Sequence, residues 1–129
     1  MEEKIEKLIA LINKFIHSFN NFDTSNLEEF LSEDFEFKNI SHGEVVESIQ
    51  GITQYKLIVE QSKALFSNRT AQIQNLDITK THIEALIYFK ATMAISTIDG
   101  LRAGQKIEYK GSFSFTTNED KITKVVQVS

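Results

Sequence analysis

Three observations predict an α+β domain with helices packed on one face of a curved, mostly antiparallel sheet. A stripe of apolar residues at three- and four-residue spacing opens the chain. A shorter stripe of the same kind follows Gly51. Everything after residue 69 reads as strand.

In chain order, Ile5, Leu8, Ile9, Ile12, Phe15, Ile16 and Phe19 fall on one side of a helix running roughly from residue 2 to 21. Ser25 followed by Glu28 is a capping-box pattern, and Leu27, Phe30 and Leu31 continue it as a short second helix. Phe35, Phe37 and Asn39 then share one face of a strand, with Glu36 and Lys38 on the other. Ser41-His42-Gly43 turns that strand into a second, Glu44 to Ser48. After Gly51, a third helix carries Tyr55, Ile58, Val59, Ser62, Leu65 and Phe66 on one face, and Ser67-Asn68 ends it.

The remaining strands are 70–79, with Ile73, Leu76 and Ile78; then, past a turn at 80–82, a long run at 83–98. That run has Ile83, Ala85, Ile87 and Phe89 on one face and Leu86, Tyr88 and Ala94 on the other. A strand of an antiparallel sheet that is apolar on both faces must be covered on both. With the helices on one side, the other is expected to meet a second copy of the chain, making a homodimer through the strands near 83–98 and 106–117. A loop at 99–104 leads to Ile107, Tyr109, Gly111, Phe113 and Phe115, which alternate with Lys106, Glu108, Lys110, Ser112 and Ser114. A turn at 118–120 precedes the last strand, 122–128.

A chain of 129 residues, 41% hydrophobic and 25% charged, fits one domain over 1–129, large enough to bury about two-thirds of its unfolded surface. A net charge of −4 with 14 scattered basic residues lacks the footprint of nucleic-acid binding. The absence of Cys excludes disulfides, thiolate metal sites and thiol nucleophiles. Three separated His residues argue against a histidine metal site, so neither metal nor cofactor is expected. The opening MEEKIEKLIALINKFI is charged and helix-periodic, unlike a signal peptide. No stretch approaches the roughly 18 apolar residues of a membrane span. A cytoplasmic protein with no membrane partner is the expectation. Ten Phe against no Trp point either to a thick core or to an apolar ligand cavity.

The order of elements, the stretch GITQYKLIVEQSKALF followed by a strand pair, and GLRAGQKIEYKGSFSF leading to NEDKIT resemble the SnoaL-like branch of the nuclear transport factor two-like (ketosteroid isomerase-like) superfamily. The resemblance covers nearly the whole chain. It implies a cone-shaped domain, a curved mixed sheet wrapped around one long and two shorter helices, an apolar pocket at the wide end, and dimers through the outer face of the sheet. It implies no single function, because the superfamily includes isomerases, cyclases, dehydratases and hydrolases besides members that only bind or dimerise.

Ketosteroid isomerase-type members use a carboxylate base late in the first strand, a tyrosine on the first helix and a protonated acid in the aromatic strand. Laid onto this chain by the resemblance, those positions read Asn39, Phe15 and Phe113. An amide cannot accept a proton near neutral pH, and Phe cannot donate a hydrogen bond. Asn39 is left either to hydrogen-bond a ligand or to satisfy turn backbone groups. His42 and Tyr55 are weaker candidates: His42 reads as a solvated turn residue, Tyr55 as core with a wet tip. His17 and His82 read as surface residues. The leading expectation is a small apolar ligand held in a pocket lined by Phe15, Phe37, Asn39, Tyr55, Phe89, Tyr109 and Phe113. The alternatives are an enzyme of isomerase, cyclase or dehydratase type with non-standard residues, and a dimerisation module with a vestigial pocket.

Overall fold

The computed structural model describes residues 2–80 and 82–129, the side chain of Glu2 excepted. Helix α1 spans Glu2–Asn21 and is followed by a single 3-10 turn, Leu27–Glu29. Strands β1 (Leu31–Ser41) and β2 (Glu44–Gln50) form a hairpin, and helix α2 (Ile52–Leu65) leads to β3 (Phe66–Thr79), β4 (His82–Met93), β5 (Lys106–Asn118) and β6 (Lys121–Val128). They make one six-stranded sheet in the order β2-β1-β6-β5-β4-β3. All pairs are antiparallel except β1 with β6, which run parallel. Register shifts at Asn39/Ile40, Ile73/Asn75 and Thr116/Thr117 add local twist and bend to the sheet. The architecture is α+β, with both helices against the inner face of a curved sheet.

The α1 stripe settles one position around from the expected one. Leu8, Leu11, Ile12, Phe15 and Phe19 are buried, while Ile5 stands 43% exposed. The expected second helix is only the 3-10 turn. Ser25 does not cap it; its backbone N–H and its Oγ both donate to Asp23 Oδ1, at 3.0 and 2.6 Å, a local bond that competes with helix capping. Leu31 is then drawn into β1, where it pairs with Ile122 on β6. Ser67 and Asn68 do not end α2. The helix passes directly into β3, and Asn68 already pairs with Thr92.

Strand β4 ends at Met93, short of 98. Gly104 N–H donates to Met93 O at 2.8 Å and Ala94 N–H to Leu65 O at 2.8 Å, which turns 94–105 away as a loop. The outer face of β4 is therefore apolar only at Leu86 and Tyr88, flanked by Glu84 and Lys90, and β5 sets Glu108, Lys110, Ser112 and Ser114 beside them. In the isolated chain Leu86 is about half exposed. The turn expected at 80–82 lies partly outside the described residues, with His82 opening β4. Among the described residues, no helix is long and apolar enough to cross a membrane.

The core is aromatic. Phe15 meets Phe113 and Phe115 edge-on at 5.5 and 5.4 Å between ring centroids, and Phe19 meets Phe113 at 5.2 Å. All of Phe15, Phe35, Phe113 and Phe115 are at most 1% exposed. Gly111 on β5 has a specific reason to be glycine: a Cβ there would lie 2.4 Å from the carbonyl oxygen of Val128, at the end of β6.

Candidate functional site

Cross-strand partners share a face of the sheet, so the register defines rows across its inner side. One row runs Ile49, Phe37, Val125, Phe115, Ile83 and Ile78, apolar throughout. The next runs Glu47, Asn39, Gln127, Phe113, Ala85 and Leu76, polar over β2, β1 and β6 and apolar beyond. Further along, Tyr109 pairs with Phe89 and Phe89 with Ala71; then Ile107 pairs with Ala91 and Ala91 with Arg69. Polar side chains thus enter the inner face from two directions: the β2-β1-β6 side, and β3 at the opposite edge.

Between these rows and the helices lies a cavity of about 300 Å³, at the lower end of the range for small-molecule sites. From the sheet come Phe37, Asn39, Glu47, Arg69, Phe89 and Tyr109, with Ile107 and Gln127. Helix α2 contributes Tyr55, Val59, Ser62 and Leu65 among others, and α1 contributes Phe19.

Five of the residues expected in a pocket from the sequence meet at this cavity: Phe37, Asn39, Tyr55, Phe89 and Tyr109. Phe15 and Phe113 do not reach it. They close on one another in the solid core, where α1 lies directly over β5. His42 is also elsewhere, exposed in the β1–β2 turn with φ of 54° beside Gly43 at 80°, the paired positive φ values of a tight hairpin turn. His17 and His82 are exposed as well.

Neither end of the Asn39 amide has a hydrogen-bond partner among the described residues, and its Oδ1 is fully buried. An unsatisfied buried amide costs about 1–3 kcal/mol. The turn backbone, one of the two partners expected for it, does not take it. Tyr55, 2% exposed, lies against Phe35 and Phe37 at 5.2 and 5.4 Å, and its hydroxyl likewise bonds to no described residue. Burial pushes that hydroxyl up to about 12. Gln127 reaches Tyr109 Oη through Nε2 at 3.4 Å, and Tyr109 stacks on Phe89 at 4.7 Å.

Sequence reasoning missed Glu47, Arg69 and Gln127. Arg69 is 7% exposed. Its Nε donates to Phe19 O at 2.8 Å, near the C-terminal end of α1, and its guanidinium lies 3.7 Å from the centroid of the Phe19 ring and 4.4 Å from that of Phe22. The helix end and the two rings offset part of the charge, at about 0.5–2 kcal/mol each. No carboxylate of the described residues comes within ion-pair distance. Desolvation draws its pKa down to about 10, which leaves it a cation at neutral pH. The signal for it was phase: with β3 begun at Phe66, Arg69 stands in step with the inward Ala71. Glu47 was readable only with the hairpin register, which sets it opposite Asn39.

Among the described residues, no three His, Asp or Glu side chains gather as a metal site would need. The cavity lining holds one carboxylate, one cation, two amides beside Gln61, and two phenols, so its chemistry is hydrogen bonding, charge pairing and, at Glu47, proton transfer.

No family model matches the sequence, and no curated protein is detectably similar to it in sequence. Solved structures are similar in fold. A SnoaL-like polyketide cyclase from Agrobacterium tumefaciens superposes with a TM-score of 0.72 at 17% identity, over 92% of this chain and 87% of the other. TsrD from Streptomyces laurentii gives 0.76 at 12% identity, over 93% and 85%. A ketosteroid isomerase-like fold protein from Catenulispora acidiphila, in complex with trimethylamine, gives 0.73 at 10% identity, over 91% and 82%. The fold is that of SnoaL-like and ketosteroid isomerase-like proteins.

Proposed function

We propose that the protein binds a small, mostly apolar molecule in the cavity of about 300 Å³ and holds that molecule's carbonyl or hydroxyl on Asn39. The observation that carries this reading is the Asn39 amide, which lines the cavity together with Phe37, Tyr55 and Phe89, its Oδ1 buried with no partner among the described residues. Such a group is costly in the empty site and is satisfied by a ligand. The test is a thermal-shift screen of aromatic ketones, phenols and polycyclic diketones on the wild type and on Asn39→Leu. Ligands should raise the wild-type melting temperature and lose most of that shift in the variant. A screen without a single hit would overturn the reading.

A second reading, an isomerase- or cyclase-type enzyme, is favoured by Glu47. The positions of the isomerase acids carry Asn39 and Phe113, yet a carboxylate stands directly across from Asn39 on β2 and lines the same cavity. Glu47 would take a proton beside a ligand carbonyl held on Asn39, as general bases do. Under this reading Glu47→Gln binds the same ligands and loses turnover. Unchanged turnover in that variant would remove Glu47 from the chemistry.

A further inference from the structure

Building on the reading of the cavity as a ligand site, we infer that its ligand carries a carboxylate, and that Arg69 is the counter-charge for it. Three features converge on this. Arg69 is more than nine-tenths buried and lines the cavity. Its single hydrogen bond among the described residues uses Nε, so the two terminal nitrogens, which present the flat fork suited to a carboxylate, are uncommitted. Its guanidinium packs against the rings of Phe19 and Phe22, 3.7 and 4.4 Å from their centroids, which restricts the direction of that fork.

The described residues offer no internal substitute for the anion. Glu47 is the other charged residue of the lining, but it stands on β2 and Arg69 on β3, the two opposite edges of the sheet, and no ion pair joins them. The cost of stripping water from the cation is already carried by the folded protein. An incoming carboxylate therefore loses only its own hydration before it gains a charge-assisted, two-point contact. A monoanion fits better than a phosphate dianion, because the lining holds a single cation and also an acid. The apolar body of the ligand then lies between Phe89, Tyr109 and Phe66, with Asn39 and Gln127 at the far side for a second polar group. The site selects a compact ring carboxylate with a carbonyl or hydroxyl at its other end.

The experiment uses two isosteric probes, 2-naphthoate and 2-naphthamide, titrated by calorimetry at neutral pH into the full-length wild type, Arg69→Met and Arg69→Lys. The wild type should bind the acid at least about tenfold more tightly than the amide. Arg69→Met should bring the acid down to the amide or below it while leaving amide affinity within about threefold, and Arg69→Lys should retain part of the preference. Wild-type protein that binds the two probes equally overturns the carboxylate inference and leaves the pocket reading standing. A folded protein that binds neither overturns both. Should Arg69→Met fail to fold, the acid-to-amide ratio of the wild type decides alone.

Discussion

The two ends of the inner sheet face are built from similar residues and come out differently. At one end Phe15 of α1 drops onto Phe113 and Phe115, and the three rings close on one another. At the other, Phe89 and Tyr109 sit on the same two central strands, yet a cavity remains. The aromatic count does not explain this. The difference lies in what covers each end. Helix α1 runs across the packed end with Leu8, Leu11, Ile12 and Phe15, and stops at Asn21. The open end is roofed by α2, which presents Tyr55, Val59 and Ser62. In the strands around Phe89 and Tyr109, Gly111, Ala71 and Ala91 add little bulk to the sheet. A cavity arises here where large side chains lack a large partner opposite.

The largest effect that tests this contrast is truncation of a ring at each end. Phe113→Ala leaves a void in the closed end and should cost about 3–5 kcal/mol in denaturant unfolding. Phe89→Ala borders space that is already open and should cost distinctly less, about 1–3 kcal/mol. Equal losses would erase the distinction between the two ends.

An intermediate effect appears at alkaline pH. Burial holds the Tyr55 hydroxyl protonated up to about 12, above its ordinary value of 10.0. The stability this contributes is whole below pH 10 and is lost as pH rises through about 12. Arg69 acts in the opposite sense. Its pKa is drawn down to about 10 from 12.5, so the cost of burying its charge is present below pH 10 and relieved above it. Tyr55→Phe removes the first contribution and keeps the second. It should match the wild type at pH 7 and exceed it by up to about 2 kcal/mol as the pH approaches 12, read from denaturation midpoints across that range.

The smallest effect concerns Asn39. Because the amide has no bond to lose and is costly while unsatisfied, Asn39→Leu should raise stability at neutral pH by about 1 kcal/mol, read from denaturation midpoints. A loss of 2 kcal/mol or more would mean that the amide is anchored by the fold after all.

The fold was legible because it rests on periodicity. The α1 stripe, the hairpin through His42-Gly43 and the alternation from Ile107 to Phe115 each mark one face of one element without reference to the rest. The false second helix arose where a local rule, the Ser25/Glu28 spacing, lost to a nearer bond between Ser25 and Asp23 and to the pull of β6 on Leu31. The long two-faced strand failed for a similar reason, since contacts to Leu65 and Gly104 divert the chain after Met93. Half of the cavity wall was legible too, because Phe37, Asn39, Phe89 and Tyr109 declare their face by alternation. What stayed hidden depends on strand pairing. Glu47 and Gln127 line the cavity only because they flank Asn39 in register, and Arg69 only because β3 begins four residues earlier than its apolar pattern suggests. Likewise, nothing in the period of α1 told that Phe15 would be spent inside the core.

The parallel pairing of β1 with β6 brings Asn39 beside Gln127 from nearly opposite ends of the chain. Contacts of such long sequence separation form slowly, because the intervening loop must close before they return any energy. In chain order α1 through β5 all precede β6, and the edge of β1 that β6 occupies stays bare until that last strand arrives. The cavity therefore has its aromatic floor before it has the second amide of its polar row.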